Sequence, residues 1–413
     1  MKLILIVALI VHFFWEIWLI IRNDQFIKAN DNRLDKILPR GLKDHISPED
    51  YRRAVEYSSA KSVFGIVQST LSLVLLIVVI EWTLLKPLDV WLGALPWGRV
   101  WFLLAVLLMV QLIGLPFELY HTFVLEKRFG FNKTTAKVFL LDQVKGLLLS
   151  LVLLTPLLGL LFLLYDVAGS YWWIFGFLLF SGFQFLMLIL YPLVIAPFFN
   201  KFTPMEDATL LDKIRTLTEK VDFPLQGVFV MDGSKRSGHS NAYFTGIGKS
   251  KRIVFFDTLL EKLSHGEALT VLAHELGHFK LNHVKLRMLI SVALSALGFY
   301  VLSLLLVSKS FFAAMGYGAP SIHIGIILLM ILLPPVEMLI TPLFNMLSRR
   351  HEYQADGFAV KATADGESLA TALIKLNREN LSVPLVHPLY SFVHYSHPPL
   401  AERLLAIEGH GRL

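Results

Sequence analysis

Seven long apolar runs punctuate the 413-residue chain, at about 3–21, 62–85, 100–120, 146–165, 171–195, 286–307 and 321–344. Each approaches the roughly 20 residues that a helix needs to cross a bilayer, so the pattern predicts seven transmembrane helices. Polar residues interrupt or border them at Gln68, Glu81, Gln111, Glu118, Gln184 and Glu337. Such groups at that depth usually face a bundle interior or water. Pro116 and Pro334-Pro335 permit kinks in their helices. The first run has no small-residue cleavage site before Arg22, and Trp15, Glu16 and Trp18 interrupt it. It reads as a retained helix rather than a signal peptide. Two segments, about 198–285 and 345–413, are polar enough for water. Within the first, 227–231 and 252–256 read as strands, and 206–221 and 264–285 as helices. The predicted fold class is mainly α. Residues 1–197 hold spans one to five and 286–344 hold spans six and seven, while 198–285 and 345–413 form one split α+β domain.

Composition agrees with this pattern. Hydrophobic residues make up 55% and charged residues 17%, against about 45–50% and about 25% in soluble domains. Mean hydropathy is +0.60. A predominantly disordered chain is excluded. The absence of cysteine excludes a thiol nucleophile, thiolate metal sites, Fe–S clusters and disulfides. The net charge is +6, and its distribution matters more than its size. Arg22, Lys28, Arg33, Lys36, Arg40, Lys43, Arg52, Arg53 and Lys61 crowd the first loop, and Lys127, Arg128, Lys133, Lys137 and Lys145 the third. The second has only Lys86 and Arg99, and the sixth only Lys309. Odd loops and the C-terminus are therefore expected in the cytoplasm, with the N-terminus outside. No aromatic–basic module is visible, so nucleic acid is not an expected partner.

The chemistry sits in VLAHELGHFKLNH, residues 271–283. Its HExxH core places His274 and His278 four residues apart. On a helix that is about 400°, so both imidazoles share one face and can meet one Zn²⁺. Glu275 lies beside the first of them and can take a proton from a water whose pKa the metal has lowered. The motif is expected on a helix that continues into the sixth span. His283 is a poor third ligand: on a continuous helix, nine residues turn about 900° and put it opposite His274. It reads as an interfacial or outer residue. Glu352 is the better candidate, because SRRHEYQAD (348–356) emerges from the seventh span at the same membrane face. Glu352 and Asp356 are four apart and share a helical face. A carboxylate ligand with a second carboxylate orienting a ligand histidine suits a zinc site. The stretch 246–250 resembles the end of a P-loop, but Tyr243 stands where its first glycine is needed.

With these motifs in place, the chain resembles the type I CAAX prenyl proteases, which are integral membrane zinc metallopeptidases. The resemblance runs from about residue 50 to 405. Besides the zinc motif it includes LYHTFVLEKRFGFNKT (119–134), YPLVIAPFFNKFTP (191–204), HSNAYFTG (239–246) and HYSHPPLAERL (394–404). It implies a seven-helix barrel around a large water-filled intramembrane chamber, with a zincin-like catalytic domain on the cytoplasmic side. It implies one zinc per chain, held by His274, His278 and Glu352, with Glu275 as general base and Asp356 supporting a ligand histidine. Asn241 would lie on an edge strand that pairs with an extended substrate, and His397 and Arg403 would line the active site. The implied activity is removal of the C-terminal tripeptide from prenylated CAAX proteins. Partners are then a peptide or protein substrate and the lipid bilayer. The chemistry of the residues fits: an edge strand offers free backbone groups, and a developing oxyanion benefits from a donor such as His397 or Arg403. The chain is shorter than eukaryotic members and ends Gly-Arg-Leu, with no retrieval signal such as KDEL. A bacterial inner membrane is therefore expected, or the endoplasmic reticulum if the source is eukaryotic. The alternative function is a membrane-protein quality-control zinc protease with no prenyl requirement.

Overall fold

The structure, a computed structural model, describes residues 1–30, 46–81, 83–245 and 251–410. Arg33, Lys36, Arg40 and Lys43 of the first loop, the P-loop-like stretch 246–250 and the C-terminal Gly-Arg-Leu lie outside them. In chain order, α1 spans Lys2–Ala29, α2 Pro48–Glu81, α3 Leu85–Gly93, α4 Gly98–Tyr120, α5 Ala136–Val167 and α6 Trp172–Leu190. Then come β1 (Phe202–Pro204), α7 (Ala208–Lys220), β2 (Leu225–Met231), β3 (Ala242–Thr245), β4 (Lys251–Phe256) and α8 (His265–Lys280). The chain closes with α9 (His283–Val307), α10 (Ile322–Thr363), α11 (Gly366–Glu379), α12 (Pro388–His394) and α13 (Leu400–His410).

Among the described residues, seven helices are long and apolar enough to cross a membrane: α1, α2, α4, α5, α6, α9 and α10. Two run on as π-helix, α4 through His121–Glu126 and α6 through Tyr191–Ile195. Each wide turn lies close to a proline, Pro116 or Pro192, which has no N–H for the regular ladder. Neighbours in the chain are neighbours in space. Helix α1 packs on α2, α4 on α5, α5 on α6, α6 on α9, α9 on α10, and α10 back on α1. Between α2 and α4, Phe64 stacks on Tyr120 with ring centroids 5.6 Å apart. The ring is closed, yet only 6% to 22% of each span is buried against protein. A solid bundle would bury a stripe along every helix, so these helices form a barrel wall around a hollow. Side-chain amides brace the wall. Gln111 donates to Gln143 (3.1 Å), and Gln143 donates to Glu118 (2.7 Å). An apolar cluster including Phe102, Phe162, Phe312 and Ile322 fills the end away from the polar domain.

The polar domain caps the other end. Among the described residues its strands run in the order β1-β2-β4-β3. The pair β2 and β4 is parallel, while β1 and β3 pair antiparallel to their neighbours. Ile253 and Phe255 of β4 are fully buried with Ile214 of α7 and Leu272 and Leu276 of α8. Side chains of this kind contribute roughly 1.5–3 kcal/mol each. The expected strands appear with small extensions; β1 and β3 were not read from periodicity, because three or four residues are too few to show one. The expected helix over 264–285 is interrupted. Asn282 adopts φ 60° and ends α8, and the chain restarts as α9 at His283. Asparagine tolerates this left-handed conformation better than most residues. Span seven and the SRRHEYQAD segment form one 42-residue helix, α10, despite Pro334, Pro335 and Pro342.

Candidate metal centre

Helix α8 presents the HExxH residues because its N-terminus is fixed. Ser264 accepts from the Glu267 N–H, and the Glu267 carboxylate accepts from the Ser264 N–H at 2.8 Å, a capping box. Lys375 of α11 then donates to Glu267 at 2.8 Å. Helices α8 and α10 approach closely at Gly277, where a Cβ would stand 3.0 Å from the Ala355 Cα. That approach lowers His274 and His278 onto Glu352.

Ligand atoms of His274, His278 and Glu352 all lie within 4.8 Å of one another. The Nε2 atoms of the two histidines are 3.3 Å apart. Glu352 Oε2 is 3.3 Å from His274 Nε2, and Oε1 is 3.2 Å from His278 Nε2. Glu352 is 1% exposed, and its Oε2 accepts no hydrogen bond among the described residues. Two imidazole nitrogens and one carboxylate converging in a buried space are the donor set of a catalytic zinc site with a position left for water. Burial opposes charge on His274, but Asp356 and Glu352 outweigh it and push its pKa up to about 9. The pocket favours positive charge, so the residues fit a divalent cation.

Behind the cluster, Asp356 lies 2.8 Å from His274 Nδ1 and is fully buried. Arg403 of α13 donates to both oxygens of Asp356, from Nε at 2.9 Å and Nη2 at 2.6 Å. Arg403, expected to line the active site, lies behind His274, with its Nη2 3.3 Å from His274 Nδ1. His397 stands on the open side. Its side chain is 64% exposed and its Nε2 is 3.4 Å from Glu352 Oε1. Ser396 Oγ lies 3.1 Å from its Nδ1. Glu275 is half-buried, and its carboxylate makes no hydrogen bond among the described residues. Burial raises its pKa, and the nearby histidines only partly offset that. Asn241 precedes β3, whose only strand neighbour among the described residues is β4. It is exposed, its carbonyl accepts from the Phe256 N–H at 3.0 Å, and β3 lies against α8.

Sequence reasoning missed the residues that hold these parts. Arg349 donates to the carbonyls of Ser391 (3.0 Å) and Tyr395 (2.8 Å), and Asn345 to that of Val393 (2.6 Å). Together they fix the segment that delivers His397. Arg349 is three residues before Glu352 on the same helical face, which was the available signal. His239, which leads into β3, lies 3.3 Å from Glu126 and 2.9 Å from Asn380 and stacks on Phe131. His283 is not opposite the site. The Asn282 break brings its Nδ1 within 3.1 Å of His278 Nδ1.

Comparison with known proteins places the whole arrangement. A family model described as CAAX prenyl protease N-terminal, five membrane helices, matches residues 29–201. Another, described as Peptidase family M48, matches residues 204–410. The CAAX prenyl protease 1 homolog of Arabidopsis thaliana is 39% identical over 90% of each chain. CAAX prenyl protease 1 of Saccharomyces cerevisiae is 36% identical over 98% of this chain and 95% of its own. The human homolog is 38% identical over 74% of this chain and 73% of its own. The crystal structure of S. mikatae Ste24p matches with a TM-score of 0.90 and 36% identity over 98% of both chains. These relatives are eukaryotic and lend no support to a bacterial inner membrane.

Proposed function

Because the chain belongs to peptidase family M48 and is an integral membrane metallopeptidase, we propose that it is a zinc endopeptidase that releases the C-terminal tripeptide from prenylated CAAX proteins. The observation that carries this reading is the convergence of His274, His278 and Glu352 within 4.8 Å, with Glu275 on the same helix. The names of its relatives supply the substrate class. The basic odd loops orient the catalytic end toward the cytosol, and the eukaryotic relatives favour the endoplasmic reticulum over a bacterial membrane.

His274, His278 and Glu352 would hold the zinc. When bound, zinc supplies a Lewis acid that lowers the pKa of a water and polarises a carbonyl. Glu275, with its raised proton affinity, takes the water proton and returns it to the departing amine. Asp356 accepts from His274 Nδ1–H, which leaves the Nε2 lone pair free for the metal. Arg403 balances the Asp356 charge and acts through it. His397, with Nδ1 accepting from the Ser396 hydroxyl, keeps a proton on Nε2 and donates to the developing oxyanion. The edge beginning at Asn241 pairs with the extended substrate.

The deciding experiment is mass spectrometry of a farnesylated CAAX peptide incubated with purified protein. Wild type should release the last three residues, and Glu275→Ala should release none while retaining one zinc per chain. Cleavage by Glu275→Ala would sink the mechanism. Zinc binding without peptide cleavage by the wild type would shift the substrate to misfolded membrane proteins.

A further inference from the structure

We propose that His283 and Gln354 form a hydrogen-bond relay that sets which nitrogen of His278 carries the proton and so leaves the one facing the metal bare; the proposal rests on the metal-site reading above. His278 Nδ1 and His283 Nδ1 are 3.1 Å apart. Two ring nitrogens bond only when one carries a proton and the other does not. The direction is set at the far end. His283 Nε2 lies 3.0 Å from Gln354 Oε1, and an amide oxygen only accepts. Nε2 of His283 therefore carries its proton, and Nδ1 presents a bare lone pair. His278 Nδ1 must donate to it. That leaves His278 Nε2 unprotonated, facing Glu352 and His274.

The opposite polarity fails on chemistry. If the Gln354 amide nitrogen faced His283, each step would reverse and His278 Nε2 would bear a proton, closing it to a metal. The relay is also held in plane. His351 stacks on His283 with centroids 3.9 Å apart and rings tilted by 7°. The left-handed turn at Asn282 makes the contact possible by swinging the first residue of α9 back over α8. Both ligand histidines thus have an outer partner: a carboxylate, Asp356, for His274, and an imidazole–amide chain for His278. His283 is a positioning residue, since it acts through His278.

The test compares the full-length wild type with His283→Leu, His283→Asn, Gln354→Leu and Gln354→Glu. Zinc affinity is measured by chelator competition, and the ligand field by the absorption spectrum of the Co²⁺-loaded protein. Both leucine variants should lose about 10–100-fold in zinc affinity and shift the Co²⁺ spectrum. His283→Asn should recover most of the loss, because its Oδ1 stands where Nδ1 stood and accepts. Gln354→Glu should do the same, because a carboxylate oxygen also accepts from His283 Nε2–H. Unchanged affinity in the leucine variants would overturn the relay. So would equal losses in His283→Leu and His283→Asn, which would leave packing as the cause. A wild type that binds no zinc would instead remove the metal-site reading beneath it.

Discussion

Arg403 and His397 both reach the His274–His278–Glu352 cluster, and their surroundings dictate opposite outcomes on mutation. The Arg403 side chain is 12% exposed and bound to a fully buried Asp356. Removing it strands a buried carboxylate, which costs about 3–5 kcal/mol. Arg403→Met should lower the melting temperature sharply, as a thermal scan in detergent would read. The His397 side chain is 64% exposed. His397→Ala should change stability by no more than about 0.5 kcal/mol, yet lower kcat by about 10²–10³-fold if it faces the oxyanion. Stopped peptide-cleavage assays at saturating substrate would separate the two. At this scale the candidates His274, Glu275 and His278 were legible from spacing alone, and Glu352 with Asp356 from an i, i+4 pair that emerges at the same membrane face as the HExxH helix. The partner of Arg403 was not, because 47 residues separate it from Asp356 and no local pattern joins them.

At the scale of the element, the HExxH helix α8 depends on how its first turn is seated. Glu267 is 5% exposed. Burial would raise its pKa, but Lys375 and the Ser264 N–H outweigh burial and hold it below the usual carboxylate range. A depressed folded pKa means stability that is fully present above the unfolded value, about 4.3, and lost as pH falls through the folded value. Glu267→Gln should therefore lower the melting temperature at pH 7. Its gap to the wild type should narrow as the pH drops below that range; a constant gap would contradict the assignment. The capping pair Ser264 and Glu267 has the sequence spacing of a helix start, and α8 begins there. Its end was misread, because apolar periodicity carries straight on from Phe279 into Val284 and hides a single left-handed residue.

For the whole molecule, the seven spans close into a ring whose basic loops and catalytic domain share one end. Exposed Lys127 lies at that end, and exposed Lys309 follows the sixth span at the other. The chain has no cysteine, so single replacements report cleanly. In sealed microsomal vesicles with the cytosolic face outward, an impermeant maleimide should label Lys127→Cys and leave Lys309→Cys unlabelled until detergent is added. The reverse pattern would invert the topology. Spans and charge bias were readable from composition because a bilayer demands about 20 apolar residues per crossing. The hollow was signalled only by polar groups such as Gln111, Glu118 and Glu337 within or beside the spans, since a helix lining water and one packed on its neighbours can have the same mean hydropathy.

The division follows from range. Apolar runs, the HExxH spacing and the carboxylates one turn apart are local properties, set by helical geometry within a few residues, and they can be read from the order of amino acids. Closing α1 onto α10, bringing Glu352 to His274 across 78 positions and turning His283 toward His278 required packing between distant segments. The folded chain settles those, because the free energy that selects them comes from buried side chains far apart in the chain and from one backbone break at Asn282.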